Sequence, residues 1–237
     1  MYWLGLYEHT RVKSDLEKSY DQLPHSSTVL VHIGKCGGRT LRNGIESAKQ
    51  NSDIHVVHIK KPIYREDLKY IIIARNPLLR VFSAFRWRYK LVVSDGDQKD
   101  RFEGEYDVLV KYGNLNNLAE ALYHEDGSVN TLAQQEIYRI HHIREDISFY
   151  LHDLLSKCTP NQILAVLLQE NLDNDILRVF GYKNEIRAHS NPVTEENNAI
   201  SETALSNLMR FFKEDYEALI TLYCWGKIER KIFREII

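Results

Sequence analysis

Thr28-Val-Leu-Val-His-Ile33 is a short, apolar, β-branched run that ends at Gly34-Lys-Cys-Gly-Gly38, after which Leu41, Ile45 and Ala48 recur at helical spacing. β-Branched residues fit a pleated, buried surface, and glycines punctuate it, so the order is strand, tight turn, helix. That order constrains the chain more than any other feature, because it opens a β–α unit and asks for a parallel partner strand.

Two further runs supply partners. Ile54-His-Val-Val-His-Ile59 is closed by Pro62, and Leu68-Lys-Tyr-Ile-Ile-Ile-Ala74 has the nearly unbroken apolar character of a strand covered on both faces. Asn76-Pro77 then reads as a helix cap and first helical position, followed by Leu78, Val81, Phe82, Phe85, Tyr89 and Val92 at helical spacing. Ser94–Glu105 is polar and reads as a surface loop or a lid.

Helices are predicted over Leu115–Tyr123 and Thr131–His142, with Ile163–Leu168 either a fourth strand or part of a helix. A helix around Leu172–Phe180 stops at Gly181, residues 181–198 form a loop, Ser201–Cys224 is one long amphipathic helix, and the tail carries a short one. The expectation is a single α/β domain over residues 1–237. Its core spans about 28–225 behind an N-terminal arm of 1–27, and a mostly parallel central sheet is flanked by helices. Its ligand belongs at the carboxyl ends of the strands, where Lys35, His58 and Arg75 fall.

Composition narrows the function. The chain has 237 residues with 31 Lys and Arg against 33 Asp and Glu, which excludes a disordered chain and a general nucleic-acid coat. Lys60–Lys90 nevertheless holds nine basic residues against two acidic, whereas Leu91–Asp175 holds sixteen acidic against six basic. The basic stretch suits either a pocket for a multiply charged anion or a solvated helix face. The three cysteines, Cys36, Cys158 and Cys224, are widely spaced and suggest neither a disulfide framework nor a zinc site. No apolar run reaches the ~20 residues of a membrane span. The start of the chain is too short in its apolar run, and too poor in basic residues, for a signal peptide, so the expectation is a cytoplasmic protein. The apolar Tyr2, Trp3, Leu4, Leu6 and Tyr7 suit either the protein's own core or a second copy.

Gly34–Thr40 is suited to cradle a phosphate: glycines let backbone N–H groups converge, the helix amino end adds a favourable dipole, and Lys35 adds charge. It is not a nucleotide-triphosphatase loop, since Lys35 precedes the glycine pair and no magnesium-holding Asp follows the later strands. Arg75 and Ser83 are placed to share a second phosphate.

These two segments, His32-Ile-Gly-Lys-Cys-Gly-Gly-Arg-Thr-Leu41 and Ile72-Ile-Ala-Arg-Asn-Pro-Leu-Leu-Arg-Val-Phe-Ser-Ala-Phe85, resemble the two signature regions of the sulfotransferases, nearest the carbohydrate branch. The resemblance implies a P-loop-like fold and the donor 3′-phosphoadenosine 5′-phosphosulfate (PAPS), leaving 3′-phosphoadenosine 5′-phosphate (PAP), with no metal. It implies that Lys35, Cys36, Gly37, Gly38, Arg39 and Thr40 hold the 5′-phosphosulfate, and that Arg75 and Ser83 hold the 3′-phosphate. His189-Ser-Asn191 and Phe212-Lys-Glu-Asp-Tyr216 resemble the family's closing loop and a later signature. Gly34, Cys36 and Arg39 depart from the family's usual proline, threonine and small hydroxyl residue.

Sulfuryl transfer to a hydroxyl needs a base, and His58, at the carboxyl end of its strand, is the candidate. His55 alternates to the opposite face. Lys35 would also neutralise the bridging oxygen. His141 and His142 are adjacent and are expected to diverge rather than pair on a metal, with Glu136 and His142 bordering the acceptor. The resemblance implies a glycan or small molecule as the acceptor. A small-molecule kinase and a non-catalytic nucleotide- or anion-binding module are the competing readings.

Overall fold

The computed structural model describes residues 14–38, 40–41, 54–183 and 200–236. Helix α1 (Asp15–Asp21) begins at a reciprocal cap, in which Ser14 Oγ accepts from the Glu17 amide and Glu17 accepts from the Ser14 amide. Strand β1 (Thr28–His32) leads to the glycine loop, and β2 (Ile54–His58) and β3 (Lys69–Ala74) follow. Helix α2 (Pro77–Tyr89) starts where the Asn76 side chain accepts from the Leu79 amide, as predicted, and runs into a π-helical turn at Lys90–Ser94.

Next come α3 (Glu105–Tyr112), α4 (Leu115–Glu120), α5 (Thr131–Ile137) and α6 (Ile147–Leu155). Strand β4 (Ile163–Leu168) and α7 (Leu172–Phe180) precede α8 (Glu202–Phe211), α9 (Lys213–Cys224) and α10 (Arg230–Ile236).

All four strands are parallel, in the order β2-β1-β3-β4. The interior residues of the two central strands, β1 and β3, are buried, as strands covered on both faces require. The edge strand β2 buries only Val57, and the edge strand β4 leaves Leu164 exposed. Two apolar cores result among the described residues. One joins the sheet to α6, α7, α9 and α10; the other gathers α2, α3, α4, α5 and α8. No described helix is long and apolar enough to cross a membrane.

The strand order makes a functional point. From β1 the chain moves outward to β2, then crosses to the other side of β1 to form β3. The gap between the carboxyl ends of β1 and β3 is therefore a topological switch point, the place where open parallel sheets leave a crevice. Residues 59–68 make the crossing and are pinned by Arg65, which binds Asp67 and the carbonyls of Tyr20 and Leu23.

Several expectations need correction. The predicted helix 115–123 stops at Glu120, and the one at 131–142 stops at Ile137, because beyond it the hydrogen bonds tighten to Arg139–Glu136 and Ile140–Ile137. The single helix 201–224 is broken at Phe212 (ψ 26°) into α8, whose apolar face joins the helical core, and α9, whose face joins the sheet core. Ile163–Leu168 is a strand. The helix expected after the glycine loop (Ile45, Ala48), the N-terminal apolar residues, Arg39 and the His189–Asn191 loop lie outside the described residues.

Candidate anion site at the switch point

The glycine loop leaves β1 with alternating handedness. Lys35 (φ 69°) and Gly37 (φ 83°) have positive φ, whereas Cys36 and Gly38 do not. Alternating signs of φ are one requirement of a backbone concavity that presents N–H groups to an anion. Helical hydrogen bonding then begins, with the Leu41 amide on the Gly37 carbonyl at 3.3 Å. Cys36 is fully buried and burial pushes its thiol up to about 12, so it packs the loop from beneath and offers no nucleophile. Thr40 is buried in the first helical turn.

Gly38 is required sterically. A Cβ there would lie 1.9 Å from His32 Cδ2. The His32 ring cannot retreat, because it stacks on His58 with centroids 3.9 Å apart and planes 15° apart, the two residues being register partners of β1 and β2. Gly38→Ala is therefore expected to lower stability by about 1–3 kcal/mol, the usual cost of overpacking, and the loss should shrink in His32→Ala/Gly38→Ala. An unchanged melting temperature for Gly38→Ala would contradict this packing.

Across the switch point, Arg75 follows β3 directly. Its guanidinium reaches the Lys35 carbonyl at 3.4 Å and lies 3.9 Å from Glu170, whose carboxylate accepts from the Asn76 amide. Arg75 Nε is buried and makes no hydrogen bond, and burial holds the guanidinium below its ordinary value. A cation so placed, with its donors only part used, is a candidate anion contact.

Helix α2 supplies the third wall. Arg80, Ser83 and Trp87 recur at i, i+3 and i+7 and so share one stripe. Arg80 donates to the Gly34 carbonyl at 3.0 Å, and the Lys35 ammonium sits 4.7 Å from the centre of the Trp87 ring. The stripe faces the loop, and Ser83 stands between its two contacts. Arg80 and Arg88, basic residues that suited a solvated face, are both buried. Arg80 binds the carbonyls of Gly34, His142 and Glu145, clamping the loop to the 142–145 segment.

His58 Nδ1 lies 2.9 Å from the His32 carbonyl. A carbonyl can only accept, so Nδ1 carries the proton and Nε2 is the basic nitrogen. His55 is at the other end of the strands, lining a cleft of about 970 Å³ with Thr28, Leu164 and Phe180. Glu136 does not border this crevice as an unengaged acid: it binds the Lys111 ammonium at 2.7 Å and the Tyr112 hydroxyl at 2.6 Å.

The two adjacent histidines do not diverge. His142 has φ 68°, a conformation that swings its ring beside that of His141, with centroids 4.2 Å apart. Its Nδ1 is 3.0 Å from where a Cβ on Gly34 would stand, so it abuts the glycine loop, and burial pushes it down to about 2.

No protein-family model, curated protein or solved structure matches the chain. The fold and site define an open parallel α/β protein with a glycine loop and an arginine at its switch point.

Proposed function

We propose that the chain is a sulfotransferase that moves the sulfuryl group of PAPS to a hydroxyl or amine of a glycan or small molecule in the cytoplasm. The reading rests on the two signature-like segments, and one observation carries it furthest. The loop of alternating handedness and the part-satisfied Arg75 meet across the β1–β3 switch point, at 3.4 Å.

In this reading the backbone N–H groups of residues 35–40 and the Lys35 ammonium receive the 5′-phosphosulfate, and Arg75 and Ser83 receive the 3′-phosphate. The acceptor oxygen attacks sulfur in line, the bond from sulfur to the bridging oxygen breaks, and PAP departs. His58 Nε2 takes the acceptor proton, while Lys35 neutralises the bridging oxygen as its charge grows. The acidic excess of residues 91–175 favours a neutral or amine-bearing acceptor over a polyanion.

Calorimetric titration with PAP tests the donor site. Binding by the wild type is expected, weakened about 10–100-fold by Arg75→Ala and by Lys35→Ala, the worth of one charge-assisted contact each. His58→Ala should keep PAP binding and lose transfer from PAPS. No PAP binding by a folded wild type would overturn the proposal, and binding without transfer to any hydroxyl or amine acceptor would make the chain a non-catalytic nucleotide-binding module.

A further inference from the structure

We infer that His141, His142 and Glu145 form a binding site for a first-row divalent transition metal ion beside the glycine loop. This inference does not depend on the identity of the chain's substrate.

One ligand atom from each of the three residues can be chosen so that all lie within 4.8 Å of one another. His141 and Glu145 are buried and His142 is half-buried. The pair that matters most is His141 Nδ1 and Glu145 Oε2, which lie 3.1 Å apart. His141 Nδ1 is sealed from solvent, yet it makes no aligned hydrogen bond. Two ligand atoms this close can both reach one cation set off the line between them. With metal–ligand distances of about 2.0–2.1 Å, neighbouring ligands are about 2.9–3.4 Å apart in octahedral or tetrahedral geometry, which brackets the His141–Glu145 separation. The set as a whole, spanning up to 4.8 Å, closes on an ion by rotation of the imidazoles.

The backbone holds this set in place. His142 at φ 68° brings the second imidazole to the same side as the first. Arg80 fixes the carbonyls of His142 and Glu145, and the Glu145 carboxylate accepts from the His142 amide at 2.8 Å. Arg144 occupies Oε1 at 2.5 Å, so Oε2, which already accepts from the His142 amide, would hold an ion through its remaining lone pair. The neighbouring Arg80, Arg144 and Lys35 charges oppose a cation, and burial strengthens that opposition, which the Glu145 carboxylate offsets. Arg80 and Arg144 are committed to carbonyls and to the outer carboxylate oxygen, as orienting groups around metal ligands are. Two imidazoles and one carboxylate favour zinc, iron(II) or cobalt(II) over magnesium or calcium, and leave positions for water or a substrate oxygen.

The test uses the untagged full chain, stripped with chelator and titrated with Co²⁺ by visible absorption and with Zn²⁺ by calorimetry. One ion per chain is expected, with Zn²⁺ displacing Co²⁺ and its d–d bands. Glu145→Gln and His142→Asn should each weaken binding at least tenfold; Asn tolerates the left-handed backbone, so His142→Asn keeps the segment's shape. Circular dichroism and thermal melting of the stripped proteins identify any variant that fails to fold. Absence of stoichiometric binding by the wild type, or binding unchanged in a folded His142→Asn, would overturn the assignment.

Discussion

Arg88→Leu is expected to destabilise the protein by roughly 3–5 kcal/mol, the cost of stranding one member of a buried ion pair. Arg88, near the end of α2, and Glu105, the first residue of α3, are both sealed from solvent, their side chains 2% and 0% exposed. The guanidinium donates from Nε to Oε1 at 2.9 Å and from a terminal nitrogen to Oε2 at 2.7 Å, while its other terminal nitrogen binds Gln98 at 2.7 Å. Glu105 also accepts from the His141 amide at 2.8 Å. One pair thus joins α2, the 95–104 loop, α3 and the start of the 141–145 segment. Removing the arginine leaves a carboxylate with no charge partner in an apolar core. Glu105→Leu should cost as much, and the double variant should recover part of the loss, because the stranded charge disappears while the His141 amide and Gln98 lose their partners. Urea unfolding of the four proteins completes the cycle. A single-variant loss under about 1 kcal/mol would show that the pair behaves like an exposed salt bridge.

What could be read from the sequence, and what could not, follows from the range of the interactions. Strands β1, β2 and β3 were legible because each is an apolar run ended by glycine, proline or a polar turn. Asn76-Pro77 and Gly181 mark helix ends through local backbone chemistry. The position of Lys35, His58 and Arg75 at strand ends followed from those elements, and the structure places all three there. Ile163–Leu168 stayed ambiguous because an unbroken apolar run has no period; its pairing with β3 decides it. Helices α3 and α6 escaped notice because their flanking signals, Gly104 and Gly113 in left-handed turns and the Asp146 cap, sit within a stretch dominated by acidic residues.

Side-chain fates were less legible. Nothing local tells that Arg80 is buried, since its acceptors belong to Gly34, His142 and Glu145, far away in sequence. The i, i+3, i+7 spacing of Arg80, Ser83 and Trp87 was present, but a stripe of mixed chemistry has meaning only once its neighbour is known. The pairing of His141 with His142 depends on a positive φ that residue type does not announce.

Asp215→Asn is expected to gain stability relative to wild type steadily as pH rises from 5 to 8. Asp215 lies in the Phe212-Lys-Glu-Asp-Tyr216 segment and is 1% exposed. Its Oδ1 accepts from the Ser148 amide at 2.7 Å, at the amino end of α6, and its Oδ2 is buried without a hydrogen bond. Asp146 caps the same helix end through the Phe149 amide at 2.7 Å. Burial, and then the neighbouring Asp146, push Asp215 up to about 8 from an ordinary 3.8. The folded chain therefore keeps a proton that the unfolded chain has released between these two values. Stability must fall as pH rises through that window, at up to about 1.4 kcal/mol per pH unit. Asparagine resembles the protonated acid, preserves the acceptor for Ser148 and does not titrate, so it escapes the fall. Asp215→Ala also escapes it but loses the acceptor, and should be less stable than Asp215→Asn at every pH. Unfolding free energies measured from pH 5 to 9 in chelator give the difference between wild type and Asp215→Asn, from which most other titrating groups cancel. A difference that does not change with pH would mean that Asp215 is ionised in the folded protein, and that the amino end of α6 holds two charges rather than one.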